Sequence, residues 1–319
     1  MLEYVIKRLL HVIAIVAVMS LLIFLITQIM PGNIAHLILG DFASPEDIAT
    51  LESQMGLNDP WYVQYLRWAS AMLHGDMGNS LSMNQPVAEV IWGAVGRSAL
   101  LAGISIVLVA IIGIGLGVYT GIRRGSRPDQ AISMVTYVNI AIPEFFWAIV
   151  VIMLFAGYLR ILPATGYASL DDGFWNWLRH LILPVFTLVT GLIAHVSRLT
   201  RSSVIDVMNS QYIRVARARG FSERRVVRHH ALRNALLPAI TVLAIDVGVL
   251  MGGVVVAESI FSYPGLGRTL MYAIQHMDLP LLQASMMVVT FVYALANLAA
   301  DLLYAFLNPK IRYGAASHA

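Results

Sequence analysis

Six apolar stretches, each about the length of a helix that crosses a bilayer, constrain this chain before anything else does. They run from Leu9 to Met30, Ala99 to Thr120, Val135 to Tyr158, His180 to Val196, Leu236 to Ala257 and Leu281 to Leu307. In hydrocarbon a backbone amide must find its partner within the protein, and a helix satisfies nearly all of its own. The expected fold is therefore all-α, a polytopic membrane protein with six transmembrane helices. The composition leaves little for a soluble catalytic domain: 12% of the 319 residues are charged, against about 25% in soluble proteins. The first run follows Lys7 and Arg8 but is too long for a secretory signal core. It also lacks a convincing small-x-small cleavage site before Pro31, so it is read as a retained helix.

The net charge of +3 invites a nucleic-acid partner until the basic residues are located. With the N-terminus inside, 16 of the 21 lysines and arginines fall on the inner side. The positive-inside rule then places both termini in the cytoplasm. Topology explains the charge, and no nucleic acid is needed. With no cysteine, the chain has neither disulfides nor thiolate metal sites.

Four regions follow: an N-terminal span over 1–30, an external helical arm over 31–98, a five-helix core over 99–307, and a cytoplasmic tail over 308–319. In the arm, Ser44 caps a helix with Pro45 at its first position and Gly56 as its stop. Asp59-Pro60 restarts a run in which Trp61, Tyr65 and Trp68 form an amphipathic stripe, either an interfacial anchor or a docking surface. Within the core, the loop 198–235 reads as a helix from Ser202 to Arg219, a left-handed cap at Gly220, and a second helix capped by Ser222. Pro238 stands where the fifth span begins. Tyr212, Ala216 and Arg219 share a face, and the small Ala216 and Ala218 would allow close approach of another protein; a basic membrane anchor is the other reading.

The carboxylates in or near the spans are Glu144, Asp246 and Asp301. Each costs roughly 2.5 to 3.5 kcal/mol at a helix centre, so each should face a partner or a wet cavity. Asp246 is the leading pathway candidate, with a structural hydrogen bond to a partner subunit as the alternative. Pro143 is expected to kink the third span and Glu144 to line the opening. His195 is read as a packed, hydrogen-bonded histidine. Gly113, Gly117 and Gly121 form G-x-x-x-G pairs, a close-packing ridge rather than a nucleotide fingerprint. Phe261, Tyr263, Pro264 and Gly265 form either an external gate that re-enters the membrane or an ordinary ordered loop. No metal site is expected, because His229-His230 has no carboxylate at ligand spacing.

Tyr212-Ile213-Arg214-Val215-Ala216-Arg217-Ala218-Arg219-Gly220 and His230-Ala231-Leu232-Arg233-Asn234-Ala235-Leu236-Leu237-Pro238 resemble the coupling loop of ABC-type import permeases, specifically the dipeptide, oligopeptide and nickel subfamily. Gly75-Asp76-Met77-Gly78, Phe261 to Arg268 and Asn308 to Tyr313 extend the resemblance over nearly the whole chain. Two positions depart from the pattern. Arg214-Val215-Ala216 stands where import permeases usually have Glu-Ala-Ala, and Pro31-Gly32-Asn33-Ile34 where the subfamily usually has Pro-Gly-Asp-Pro.

The resemblance implies a non-catalytic transmembrane subunit of a bacterial inner-membrane importer, embedded in membrane lipid. It would pair with a homologous permease, two cytoplasmic ABC ATPases and an external solute-binding protein. Its solute would be di- or oligopeptides, or alternatively nickel chelates or glutathione-like solutes. No cofactor is expected in this chain; ATP and Mg²⁺ would be bound by the ATPases. The absence of G-x-x-x-x-G-K-[ST] agrees, since the only lysines are Lys7 and Lys310. A channel or secondary transporter would need a charged relay, for which three scattered carboxylates are poor material, and an intramembrane protease a paired Asp, Ser-His or H-E-x-x-H, of which none is evident in the spans.

Overall fold

A computed structural model describes residues 2–29 and 44–307. Pro31-Gly32-Asn33-Ile34 and the tail motif from Asn308 to Tyr313 lie outside the described residues. Among the described residues the regular structure is helical, with no strand. In chain order the helices are α1 (Leu2–Ile29), α2 (Pro45–Met55), α3 (Trp61–Leu73), α4 (Val87–Ile122), α5 (Arg127–Ala141), α6 (Glu144–Tyr158), α7 (Phe174–Met208), α8 (Gln211–Ala218), α9 (Glu223–Ile260), α10 (Leu266–Gln275) and α11 (Leu279–Leu307). Five of them are long and apolar enough to cross a bilayer, and the bent pair α5 and α6 makes a sixth crossing if counted as one span.

That pair corrects the expected third span. In place of a kinked helix from Val135 to Tyr158, the chain has two helices bent by 104°. Proline disfavours the α conformation in the residue before it. Ile142 is accordingly extended (φ −95°, ψ 123°), so α5 ends at Ala141 and α6 begins at Glu144. The helical part of span four is likewise longer than its apolar core, because α7 runs for 35 residues with Pro184 inside it.

The chain divides into two compact units, one of residues 1–5, 99–263 and 296–319, the other of 6–98 and 264–295. The first is organised around α7, which packs on α4, α5, α6 and α9. The glycine ridge of α4 makes this possible. A Cβ at Gly117 would lie 2.4 Å from Thr200 Cβ and 2.6 Å from Ser197 O, and one at Gly121 would lie 2.7 Å from Val204 Cβ. Gly113, Gly117 and Gly121 thus face Val196, Thr200 and Val204, four-residue steps meeting four-residue steps, as small-residue membrane interfaces do. At the far end of this contact Asp129 is buried and accepts from Arg201 Nε and Nη2 at 2.6 and 2.8 Å. It also accepts from Gly125 N at 2.8 Å, closing the turn before α5.

The second unit holds α1, α2 and α3. Ser44 Oγ caps α2 by accepting from Asp47 N, and Gly56 ends it at φ 67°. Tyr65 and Trp68 of α3 pack on Phe24 of α1, and Ser20 and Tyr65 share a 2.8 Å hydrogen bond. Tyr65 and Trp68 are thus half-buried against α1, while Trp61 is exposed. Before α11, the fully buried carboxylate of Asp278 accepts from Ser80 Oγ (2.5 Å), Ser82 Oγ (2.6 Å), Ser82 N (3.0 Å) and Leu281 N (3.2 Å). Burial pushes this carboxyl up, but the four donors outweigh it and hold it below the usual carboxylate range.

Candidate functional site

At the break at Pro143 several polar side chains of the first unit converge. It puts Glu144 in the first turn of α6, with Trp147 one turn further on the same face. Opposite them, α7 contributes Thr187, Gly191 and His195 at four-residue spacing, and α9 contributes Asp246, Val249, Leu250 and Gly253 over two turns. Together with Asn139 of α5 they line a cavity of about 350 Å³.

Two kinds of polar group line it. At one end His195 Nδ1 lies 3.0 and 3.2 Å from the Asp246 carboxylate oxygens. The Asp246 side chain is 2% exposed and that of His195 39% exposed, so the histidine is the accessible member. At the other end Glu144 lies against the backbone of α9, where a Cβ on Gly253 would come within 2.7 and 2.8 Å of its two oxygens. Glu144 Oε1 and Trp147 Nε1 are both buried without a hydrogen-bond partner.

Sequence reading placed Glu144 and Asp246 on separate spans and His195 by itself, and the structure brings all three to this cavity. The buried hydrogen bond foreseen for Asp246 is made within the chain, to His195, rather than requiring another subunit. Asp301, half-buried on α11, is not among the lining residues. Trp147 was missed; its only sequence signal is its place three residues after Glu144 in an apolar run. Asp129 was missed too, although Ser126-Arg127-Pro128-Asp129 is a legible helix-start pattern. Among the described residues no three His, Cys, Asp or Glu side chains gather where a metal ion would fit.

The gate candidates form a tight turn between α9 and α10. Phe261 and Tyr263 are buried; Phe261 O accepts from Gly166 N at 2.8 Å, and Tyr263 meets Tyr167 edge-on. Pro264 O accepts from Arg97 Nε at 2.5 Å, and Gly265 O accepts from Thr269 N at 3.0 Å at the start of α10. In this structure the segment is an ordered turn.

In the loop 198–235 the expected helix from Ser202 to Arg219 is interrupted. Ser210 is extended (φ −68°, ψ 156°) and its Oγ donates to Val207 O at 2.6 Å, so α7 ends at Met208 and α8 starts afresh at Gln211. Gly220 has the expected left-handed φ of 77°. Ala216 is 6% exposed and packs with Ile213, Val226 and Ala231, because the chain after Gly220 folds back over it, and it also borders the groove that Tyr212 and Arg219 line. Tyr212, Arg214 and Arg219 remain exposed, and Tyr212, Arg219, Phe221 and His230 border a shallow groove of about 610 Å³. Pro238 is interior to α9, which begins at Glu223 rather than near the proline.

A polytopic helical chain with a largely apolar cavity that carries Glu144, His195 and Asp246 among its membrane helices, and a basic helix-turn-helix, fits the membrane component of a transport system. It belongs to the family described as "Binding-protein-dependent transport system inner membrane component", whose model matches residues 113–313; the companion N-terminal model, "Binding-prot-dependent transport system membrane comp, N-term", matches residues 1–92. The chain is thus a multi-pass inner-membrane permease of an ABC-type importer, and the family works with ATPase and solute-binding partners.

It is 37% identical to a dipeptide transport system permease of Alkalihalophilus pseudofirmus, covering 98% of this chain and all of the relative. It is 38% identical to an oligopeptide transport system permease of Bacillus subtilis, again over 98% of this chain and all of the relative. A glutathione transport system permease of Salmonella paratyphi A is 36% identical, with the same coverage of 98% and 100%. Among solved structures, the inward-facing MetNI methionine ABC transporter has the same fold, with a TM-score of 0.58 at 16% identity, covering 71% of this chain and 100% of that chain.

Proposed function

We propose that the chain passes small peptides across the inner membrane by alternating access, as one of two homologous permeases driven by two ATPases and fed by an external solute-binding protein. The observation that carries this reading is the alignment, over 98% of the chain, with permeases named for dipeptide and oligopeptide transport. The glutathione relative fits the same reading, since glutathione is a tripeptide. The cavity at Glu144 and Asp246 is the proposed station of the solute on its way through.

The surplus of arginine in 198–233 supports a cytoplasmic position for this loop and for both termini. There the groove beside Tyr212 and Arg219, with Arg214 next to it, receives an ATPase subunit. Gly220 holds the turn that orients α8. Closure of the ATPases is transmitted through α9, past Pro238, to Asp246 and Gly253.

The test is ATP hydrolysis by the reconstituted complex with its binding protein, offered dipeptides, tripeptides, glutathione and nickel chelates. Proline cannot adopt the φ of Gly220, so Gly220→Pro should abolish peptide stimulation. Full stimulation in an assembled Gly220→Pro complex refutes the coupling role, and stimulation by nickel chelates alone refutes the substrate.

A further inference from the structure

The cavity contains an unmet chemical demand. Glu144 Oε1 and Trp147 Nε1 are both buried without partners. An ionised carboxylate only accepts hydrogen bonds and an indole N–H only donates, so whatever satisfies both must offer a donor to one and an acceptor to the other. Leaving either bare is costly, since a buried polar atom without a partner bears its full desolvation penalty. What fits both is a ligand with a donor and an acceptor a few bonds apart.

We infer that this end of the cavity receives the amino terminus of the translocated peptide, Glu144 taking the ammonium group and Trp147 Nε1 the first carbonyl oxygen. The inference rests on the peptide reading above and adds which end of the peptide is recognised and by which atoms. A free amino terminus carries the ammonium donor and the carbonyl acceptor on adjacent carbons. The carboxy terminus has only acceptors to offer, and it would meet Glu144 with like charge. A metal ion is disfavoured by the absence, among the described residues, of any group of three ligating side chains.

The surrounding backbone suits the role. Gly253 lets the carboxylate lie against α9, since a Cβ there would come within 2.7 Å of it. From Gly253 to Asp246 is two turns of α9, about 10.5 Å at 1.5 Å per residue. An extended chain covers about 3.4 Å per residue, so roughly three residues span the distance from Glu144 to the His195–Asp246 pair. A volume of about 350 Å³ likewise suits the end of a peptide rather than a long one.

The test uses the full complex in proteoliposomes with its binding protein and a tripeptide carrying a photoreactive diazirine on either its first or its last residue. After photolysis during turnover, the first-residue probe should label the segments around Glu144 to Trp147 and Gly253 in the wild type, and the last-residue probe should not. In Glu144→Gln this labelling should disappear and uptake should fall about tenfold or more, with Glu144→Asp regaining part of it. Peptide uptake with preferential labelling of this region by the last-residue probe, or with equal labelling in wild type and Glu144→Gln, overturns the inference while leaving the peptide function intact. Uptake of nickel chelates and no peptide overturns both. The two-probe comparison in the wild type decides the matter even if the variant does not assemble.

Discussion

Gly117 offers the sharpest test of how the first unit is held together. Replacing it with alanine would place a methyl 2.4 Å from Thr200 Cβ and 2.6 Å from Ser197 O, where ordinary contact begins at 3.4 Å. The methyl is thus 1.0 Å too close to one neighbour and 0.8 Å too close to the other. Neither neighbour can yield by a rotamer change, because one is a Cβ and the other a main-chain oxygen. The helices α4 and α7 must part, and overpacking of this kind costs about 1–3 kcal/mol. Alanine also has the better helix propensity, by about 1 kcal/mol, so the net loss is up to about 2 kcal/mol.

Gly115, two residues away on the same helix, has open space around its Cβ position, so Gly115→Ala should keep the propensity gain without the clash. The two variants should therefore differ by about 1–3 kcal/mol in opposite directions from wild type. Thermal unfolding in detergent, followed by gel filtration of the surviving monodisperse protein, gives the order directly: Gly115→Ala at or above wild type, Gly117→Ala below. If Gly117→Ala melts at or above Gly115→Ala, the close-packed ridge is not what joins α4 to α7.

Three further outcomes follow from the same structure. Asp278→Asn should destabilise the second unit by about 2–3 kcal/mol, because its buried carboxylate accepts four hydrogen bonds. Its carboxyl is held below the usual range, so its contribution is complete above the unfolded value of about 3.9 and fades as pH falls through the lower folded value; melting between about pH 2 and 6 should flatten in the variant. Arg201→Met should cost about 3–5 kcal/mol by stranding buried Asp129, whereas the double variant Asp129→Leu/Arg201→Met should be milder than the single; unfolding of all four members of the cycle reads the coupling. Gly220→Ala should cost about 1 kcal/mol through its left-handed φ alone, since nothing lies within 4 Å of a Cβ there, and hydrogen exchange at Phe221 and Arg219 would register the loosened turn.

Apolar length made the spans legible, and four-residue glycine spacing made the α4 ridge legible, because both are local patterns. The caps at Ser44, Gly56 and Gly220 were equally local and appear where expected. Pro143 was visible as a disturbance, but its size was not: whether a membrane helix kinks or breaks depends on what takes up the freed backbone groups, and those come from elsewhere in the chain. Ala216 shows what a local pattern leaves out. The face it shares with Tyr212 and Arg219 was legible, and all three line the groove, but the packing of Val226 and Ala231 beside it depends on the course of the chain after Gly220. The His195–Asp246 pair is 51 residues apart in sequence, and only the packing of α7 on α9 joins its members.

The interruption between Ala141 and Glu144 has a consequence for where polarity resides. A helix that stops and restarts leaves carbonyls at the end of α5 and amides at the start of α6 outside the usual ladder, and in a membrane such groups are tolerated only against protein or water. Part of the polarity beside the break is then written in main chain, which no side-chain substitution can delete while the break itself persists. A side-chain exchange around the break therefore changes what surrounds these main-chain groups without removing them.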